Sequence, residues 1–327
     1  GTLLSNANIV LSAKSFLTIL CDKYNNEAYK YLGILNRQPT LWKYGMQAFE
    51  ELAHPNEVIT LAPPVAPAFN ADNDGDQMNI FHLHTTNATQ EARDMMMFNN
   101  NLIKLSQDFL LCTHYLQVQE VTPHPSNKAL SGVDTIKCLI EEGKLHPNET
   151  VHYHDQETNT IHQTTAGRVL YSSFAPRGED NLPNFDIPPA SKLNAQVATY
   201  GASLPLQAYQ KYVDGIVQMC RLCIQYAGYS ANLSELAKPV DTSVLDNMIA
   251  KTIKEIEVLE REGFILPQSS DHSVWEEVYK KADEIAKDVI VPGTSIDHFI
   301  ASGARGNVKQ IRSLLVMAGK AATSSNK

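Results

Sequence analysis

The sequence predicts an α+β protein, because strand-like and helical segments occupy different parts of its 327 residues. The first part alternates short apolar runs with proline and glycine, which break a chain into strands and turns. The last part repeats apolar residues at helical spacing over long segments. The stretch between them is polar, punctuated by prolines and β-like in places. We therefore divide the chain into residues 1–120, a β-rich connecting region at 121–204 and a helical region at 205–327.

The first region is predicted to carry most of the strands. Residues 32–52 should form short strands joined by turns, since proline and glycine interrupt them. The valine- and proline-rich stretch at 57–69 is predicted to add strands near a sheet edge or in a small irregular barrel. The sequence MNIF at 78–81 is predicted to form one more strand, and residues 89–101 a helix.

The remaining elements follow from short apolar patterns and from capping residues. In the connecting region, residues 149–155 and 167–174 are predicted to be strands. In the last region, helices are predicted over 205–227, from about Thr242 to Gly263, and from about Asp271 onward. Asp241 or Thr242 would cap the second of these helices, and Gly263 would end it.

Composition narrows the class of protein. With 43% hydrophobic and 19% charged residues, the chain is able to bury a core. A net charge of −9 argues against a free-standing nucleic-acid-binding domain, unless partner chains supply the basic surface. Five scattered cysteines are predicted to be reduced thiols, with Cys220 and Cys223 packed in the core. No signal peptide or membrane-length apolar run is visible, so we expect a cytoplasmic protein without a membrane partner.

One acidic segment stands out. In FNADNDGDQMNIF, residues 69–81, the carboxylates of Asp72, Asp74 and Asp76 alternate with other residues and surround one glycine. Apolar residues on both sides predict buried flanks. Close carboxylates repel one another, and burial adds to the cost of their charge. The segment is therefore either a solvated turn or a site for a cation.

The identity of such a cation follows from what each ion requires. A calcium loop of the EF-hand type that starts at Asn70 needs glutamate at position 81, which is Phe81. One that starts at Asp72 needs glycine and glutamate where the chain has Gln77 and Leu83. Magnesium instead accepts a few carboxylate oxygens and keeps positions open for phosphate and water. The segment thus favours magnesium over calcium, and a solvated turn remains the alternative.

Six segments, in order, resemble motifs of the largest (β′) subunit of multisubunit DNA-dependent RNA polymerases. NADNDGDQM closely resembles the family's Asn-Ala-Asp-Phe-Asp-Gly-Asp-Gln-Met element. The other five segments are LNRQPTLWKYGMQAFE at 35–50, QEARDMMMFNNN at 90–101, SQD at 106–108, TTAGR at 164–168 and SGARGNVKQIR at 302–312. Together they extend over most of the chain. Three departures from the family pattern are Trp42 for histidine, Lys43 for arginine and Asn73 for phenylalanine.

The resemblance implies a fold and a set of site residues. Residues 30–85 should belong to a double-psi β-barrel from which the acidic loop projects, and the last region should line a pore for nucleotides. Asp72, Asp74 and Asp76 are implied to be catalytic and to hold one Mg²⁺, with a second Mg²⁺ arriving with the nucleoside triphosphate. The implied substrate-binding residues are Arg37, Asn70, Gln107, Arg305 and Arg312.

These implied roles agree with the chemistry of the side chains. The guanidinium of Arg37 and the amide of Asn70 are able to hydrogen-bond ribose hydroxyls, including the 2′-hydroxyl that distinguishes RNA. Arg305 is implied to lie near the terminal phosphates of the nucleotide, with Arg312 close to it in the motif. A guanidinium fork suits that ligand. Gln107 is a further candidate for the surroundings of the substrate.

The implied function is that of a catalytic β′-type subunit of a DNA-directed RNA polymerase, which transfers nucleotides to the RNA 3′-hydroxyl. Its partners would be a β-type subunit, the remaining β′ chain or chains, the DNA template and the nascent RNA. The bridge helix and trigger loop have no counterpart here, so the chain is predicted to be a piece of β′ and inactive alone. Divided β′ chains are typical of large bacteriophages that encode their own polymerase. The alternatives are a non-catalytic scaffold paralogue and an RNA-templated two-barrel polymerase.

Overall fold

The computed structural model describes residues 18, 20–26, 32–56, 58–72, 74–96, 103–118, 130–236, 240–263 and 275–318. Helices and two small sheets occur together in this part of the chain, which confirms the predicted α+β class. The chain divides into two compact units. The first unit comprises residues 1–106 and 194–209, and the second unit comprises residues 107–193 and 210–327. The predicted division into residues 1–120, 121–204 and 205–327 is not tested by these units and stays a prediction.

A three-stranded antiparallel sheet forms the centre of the first unit. Its strands are β1 (Leu32–Asn36), β2 (Met46–Glu50) and β3 (Asn79–His82), in the order β2-β1-β3. Ile34 lies opposite Ala48 of β2 and opposite Phe81 of β3. Strands predicted within 32–52 and at 78–81 are thus confirmed. The sheet alone does not establish a double-psi barrel, which remains a prediction.

The prediction of strands at 57–69 is wrong for the residues that the structure describes. Residues 58–69 contain turns and a 3₁₀ turn at Ala66–Phe69. The reason lies in Pro63, Pro64 and Pro67, which fix φ and remove the N–H groups that a strand would donate to its neighbours. Val65 and Ala68 are instead buried from within the turns, whereas Val58 stays 64% exposed.

The apolar flank after the acidic loop is exposed rather than buried. Every residue of β3 is exposed, and Ile80 and Phe81 each keep 47% of their surface. The flank before the loop is buried as predicted, since Ala68 and Phe69 are at most 3% exposed. Edge position alone does not explain this exposure, because β2, the other outer strand of the sheet, has buried residues.

Helix α1 (Thr86–Met96) follows β3 and packs against β2, burying Thr89 and Ala92. It confirms the predicted helix at 89–101 as far as Met96, while 97–101 lie outside the described residues. A later segment also belongs to this unit. The side chain of Asn194 accepts from the backbone N–H of Leu105 and donates to its carbonyl oxygen, each at 2.8 Å.

The second unit begins with helices around a small sheet. Strand β4 (Leu130–Ser131) runs parallel to β5 (Thr150–Asp155), which pairs antiparallel with β6 (Thr160–Thr165). Strand β5 confirms the prediction at 149–155. Five α-helices lie between residues 108 and 227 in the described part of the chain. They are α2 (Asp108–Val118), α3 (Val133–Glu141), α4 (Ala166–Ser172), α5 (Ala190–Ser203) and α6 (Leu206–Ala227). The chain passes between the units within α5 and α6.

The strand predicted at 167–174 is wrong, because α4 occupies this segment. A short apolar run does not distinguish a buried strand from a buried helix. Tertiary contacts decide in favour of the helix. The N–H of Gly167 donates to the carbonyl oxygen of Pro147 at 2.6 Å, and a Cβ on Gly167 would lie 2.7 Å from a methyl of Leu116.

The last part of the second unit is helical, as predicted. Helix α6 confirms the prediction over 205–227. Its buried Cys220 and Cys223 confirm that these thiols pack in the core, and burial raises the pKa of the Cys223 thiol. The helices that follow are α7 (Leu233–Leu236), α8 (Ser243–Arg261), α9 (Glu276–Val289), α10 (Ser295–Ser302) and α11 (Val308–Leu315).

The predicted ends of α8 agree with the structure. Thr242 immediately precedes Ser243, the first residue of the helix. Gly263 lies two residues after Arg261, the last residue of the helix, in a left-handed conformation with φ of 82°. Leu245 of α8 packs against Val278 and Ala282 of α9. The predicted start of α9 near Asp271 lies outside the described residues. Among the helices that the structure describes, none is long and apolar enough to cross a membrane.

Candidate functional site

The acidic loop starts from a fixed base in the first unit. The 3₁₀ turn at Ala66–Phe69 is anchored by Phe69, whose ring lies 6.3 Å from that of Phe49 on β2. Asn70 ends the turn in a left-handed conformation with φ of 49°, a geometry that asparagine tolerates better than most residues. Its N–H donates to the carbonyl oxygen of Pro67 at 3.2 Å. The backbone therefore enters the loop in a defined direction.

The three predicted catalytic carboxylates lie on an open segment of chain. Asp72, Asp74 and Asp76 are all exposed. Gly75 has φ of 110°, a conformation that favours glycine, and no atom lies within 4 Å of where a Cβ would stand. Backbone geometry rather than crowding thus requires glycine at this position.

Arg37 holds one end of the loop through Asp76. Its Nε donates to Oδ2 at 2.8 Å and its Nη2 donates to Oδ1 at 3.1 Å, which makes the contact bidentate. The backbone N–H of Asp72 also donates to Oδ2 of Asp76 at 2.8 Å. The hydrogen bonds from Arg37, and next that from Asp72, lower the pKa of Asp76, and Asp76 in turn raises the pKa of Arg37. Asp76 is therefore held in its ionised form.

The arrangement of the carboxylates bears on the predicted metal. Among the described residues, no three histidine, cysteine, aspartate or glutamate side chains are grouped so that they could hold a metal ion. The structure thus brings Arg37 to Asp76 and does not gather the three aspartates around one point. Their chemistry still fits magnesium, because carboxylate oxygens are the ligands that hard cations prefer. An oxygen of Asp76 that accepts from Arg37 also retains a lone pair for a cation.

Two predicted substrate-binding residues meet in the second unit. Nη2 of Arg305 donates to Oε1 of Gln107 at 3.1 Å, across 198 positions of sequence. Both residues are exposed. Gln107 precedes α2 with φ of 49°, and Arg305 lies in the turn between α10 and α11, bracketed by Gly303 and Gly306. The pairing supports treating these two residues as one polar site.

A groove of about 330 Å³ opens beside Arg305 in the second unit. Asp108 and Leu111 of α2 line one part of it, and Tyr229 and Phe299 line another. The groove thus combines one carboxylate and one guanidinium with apolar and aromatic walls. Such walls with a few polar groups are typical of small-molecule sites.

Arg312 is engaged in a structural contact. Its Nη1 donates to Oδ1 of Asp283 at 3.0 Å, and its guanidinium lies 5.3 Å from the centre of the Tyr279 ring. Only 15% of the side chain is exposed. Arg312 therefore joins α11 to α9, and its predicted role in substrate binding stays a prediction.

Sequence reasoning missed two features near these sites. Trp42 was noted only as a departure from the family motif, yet its Nε1 donates to the carbonyl oxygen of Ala68 at 2.9 Å. The motif shows an indole donor at this position but not its partner, which lies 26 residues away in the sequence. His114 and His298, which meet at 3.1 Å between Nε2 and Nδ1, carry no local signal because 184 residues separate them.

The histidine pair lies between α2 and α10. The Tyr229 ring stacks on His298 with centroids 4.5 Å apart, and Tyr115 meets Tyr229 edge to face. Burial and then the nearby His298 lower the pKa of His114, while Asp297 acts in the opposite direction. His114 is therefore held as neutral imidazole by its surroundings.

The chain is similar to known proteins over most of its length. The family described as RNA polymerase Rpb1, domain 2, matches residues 19–98, which include the sheet and the acidic loop of the first unit. The chain is thus related to the largest subunits of multisubunit RNA polymerases. Several bacterial β′ subunits are also similar to this chain, and the similarity covers about nine tenths of it, including residues of both units.

The curated relatives share the name DNA-directed RNA polymerase subunit beta'. That of Pelotomaculum thermopropionicum is 26% identical over 306 residues, covering 90% of this chain and 26% of the relative. Those of Anaplasma marginale and Bdellovibrio bacteriovorus are 28% and 29% identical, each covering 88% of this chain and 22% of the relative. These matches confirm the resemblance to β′. The chain spans about a quarter of the length of the curated relatives it matches.

Proposed function

We propose that this chain is the active-site segment of a β′-type subunit of a DNA-directed RNA polymerase. The observation that carries the proposal is the exposed acidic loop, which keeps all three aspartates and lies within the matched domain. Its base is buried, whereas its carboxylates face solvent. That contrast is expected of a loop that presents charge to a ligand on a rigid support.

In this proposal Asp72, Asp74 and Asp76 hold one Mg²⁺, and a second Mg²⁺ comes with the nucleoside triphosphate. When bound, magnesium supplies activation of the attacking 3′-hydroxyl and neutralisation of charge on the transferring phosphate. The residues of the chain supply oxygen ligands and hold them in place. The bidentate contact with Arg37 fixes the position of the Asp76 carboxylate, so that a cation would share this group with Arg37.

Arg37 and Asn70 are proposed to bind the ribose of the incoming nucleotide. A guanidinium has five N–H donors, and Arg37 donates two of them to Asp76. The remaining three N–H donors are available for a hydroxyl while the contact with Asp76 persists. Asn70 is exposed at the start of the loop, where its amide is able both to donate and to accept.

Arg305 and Gln107 are proposed to bind the nucleotide as well, with the guanidinium directed to phosphate. Arg305 donates one N–H to Gln107, so most of its donors are available to an anion. An arginine held by a neutral amide retains its full charge for a ligand, unlike one that is neutralised by a carboxylate. Arg312 is the weaker candidate, because Asp283 already pairs with it.

The partners follow from the length of the chain relative to its relatives. Because it spans about a quarter of them, we propose that it acts only with a β-type subunit and the remaining β′ chain or chains. DNA template, nascent RNA and nucleoside triphosphates would be bound by that assembly. The chain alone is expected to be inactive.

The direct test is elongation by the assembled enzyme with Asp74→Ala. We expect RNA synthesis on a DNA template to be abolished while the complex still assembles, because a metal ligand is lost and an exposed loop tolerates the change. Asp288→Ala, which removes an exposed aspartate of α9, is the matched control and should elongate normally. Normal elongation by Asp74→Ala would refute the proposal.

One observation favours a non-catalytic scaffold instead. The described residues contain no assembled group of metal ligands, and Asp76 already pairs with Arg37. A scaffold would make the elongation of the assembled enzyme independent of Asp74. An RNA-templated polymerase would show the opposite result, requiring Asp74 but preferring RNA over DNA as template. Running the same variants on both templates separates the three cases.

A further inference from the structure

We propose that Trp42 is a positioning residue that fixes the base of the acidic loop. The inference rests on the proposed function of that loop. The indole Nε1 of Trp42 donates to the carbonyl oxygen of Ala68 at 2.9 Å. Ala68 is fully buried and lies two residues before Asn70, where the loop begins. The hydrogen bond therefore acts on the backbone that carries the carboxylates.

The contact is one half of a clamp. Trp42 and Arg37 both lie in the connection between β1 and β2, and they contact opposite ends of the same segment. Trp42 holds it before the aspartates, at Ala68, and Arg37 holds it at the last of them, Asp76. A single connection of chain, residues 37–45, thus constrains both ends of the acidic loop.

The indole N–H of Trp42 is the group that acts on the loop. Trp42 keeps 47% of its surface, so about half of it is buried as well, but apolar burial by itself requires no N–H donor. The ring is oriented by an edge-to-face contact with Tyr44, with centroids 5.1 Å apart. The indole has one donor and no acceptor, which suits a lone carbonyl oxygen.

A fixed base matters because the carboxylates are otherwise open to solvent. A cation that binds three aspartates must order the loop, and every constraint already present reduces that cost. Loss of the Trp42 hydrogen bond should therefore weaken cation binding without removing a ligand. A purely structural role would lower the stability of the fold and leave cation affinity unchanged.

The test uses iron(II) as the probe in the assembled complex. Iron(II) bound at the loop is oxidised to iron(III) by added hydrogen peroxide, which yields hydroxide and a hydroxyl radical, and the cuts near residue 74 are measured against Fe²⁺ concentration. We expect Trp42→Phe, which keeps an aromatic ring but lacks the donor, to raise the half-saturating concentration roughly threefold to tenfold, the effect of one hydrogen bond. The urea midpoint of unfolding is measured in parallel, because loss of a hydrogen bond to a buried carbonyl also lowers stability.

Two matched controls are available in the chain. Trp275→Phe removes the indole donor of the other tryptophan, which packs against Leu245 and its neighbours in the second unit. Leu41→Ala changes the residue next to Trp42. The Leu41 side chain is 85% exposed. Both should leave the half-saturating Fe²⁺ concentration unchanged.

A second variant separates the donor from the shape of the ring. Benzothienylalanine in place of Trp42, in the Trp275→Phe background, keeps a bicyclic ring and replaces N–H by sulfur. It should reproduce the shift of Trp42→Phe even if that variant folds poorly.

An unchanged half-saturating concentration in the benzothienylalanine protein would overturn the inference, as would an equal shift in Trp275→Phe. The Asp74→Ala complex distinguishes this failure from that of the proposed function. If the unaltered complex gives no cuts near residue 74 that depend on Asp74, the proposed function itself fails, and the positioning role fails with it.

Discussion

At the scale of single residues, the acidic loop depends on Arg37. Two hydrogen bonds connect its guanidinium to both oxygens of Asp76, so one carboxylate of the three is neutralised locally. This reduces the repulsion among the aspartates before any cation binds. The resemblance to β′ implied a ribose contact for Arg37, and the structure adds an internal contact that motif comparison alone did not indicate.

Arg37→Lys tests this contact. Lysine keeps the positive charge but lacks the planar fork, so it is unable to make both hydrogen bonds at once. We expect kcat/KM for the nucleotide in the assembled enzyme to fall about tenfold, the effect of losing one hydrogen bond between charged groups. Arg93→Lys is the matched control, since its contact with Glu50 is 3.9 Å long and exposed. An equal fall in both variants would contradict the role of Arg37.

At the scale of elements, the contact between α2 and α10 should depend on pH. His114 and His298 hydrogen-bond at 3.1 Å, which requires that at least one ring nitrogen be unprotonated. The pKa of His114 is lowered from its ordinary value of 6.5, so the unfolded chain binds more protons than the folded chain as pH falls below that value. Stability should therefore decrease as pH falls through about 6.5 and level off below the folded pKa.

The measurement is the urea midpoint of the full chain between about pH 8 and about pH 5.5. His114→Asn keeps a side chain able to hydrogen-bond His298 but removes the titrating group, so the midpoint should depend less on pH. The nearby Asp297 favours protonation and limits the size of the effect. His152→Asn, at an exposed position of β5, should keep the dependence of the unaltered chain. The same dependence in His114→Asn would contradict the assignment.

Local patterns predicted some elements and failed at others for physical reasons. The long helices α6 and α8 follow from apolar spacing and capping over many residues, which tertiary contacts rarely override. The segment 167–174 is short and apolar, so its pattern fits a strand or a helix, and its helix packs with Gly167 close to Leu116 and Pro147. The apolar residues of β3 predicted burial, yet every residue of this strand is exposed, because local hydrophobicity does not determine which face of a sheet another element covers.

At the scale of the whole molecule, the chain has two compact units, and candidate residues occur in each. The acidic loop, Arg37 and Asn70 belong to the first unit, whereas Gln107, Arg305 and Arg312 belong to the second. The motifs predicted the candidate residues, and the structure shows their immediate contacts. The pairs Arg37–Asp76, Trp42–Ala68 and Arg305–Gln107 each join positions distant in sequence, so no local pattern could have shown them.

The central claim is that the acidic loop holds a catalytic divalent cation. It is tested most directly by iron(II)-generated cleavage of the assembled complex, with Mg²⁺ added as a competitor. We predict cuts concentrated near residue 74 that disappear as Mg²⁺ is added and are absent from the Asp74→Ala complex. Cleavage that is absent, spread over the chain, or unchanged by Mg²⁺ and by Asp74→Ala would contradict the account.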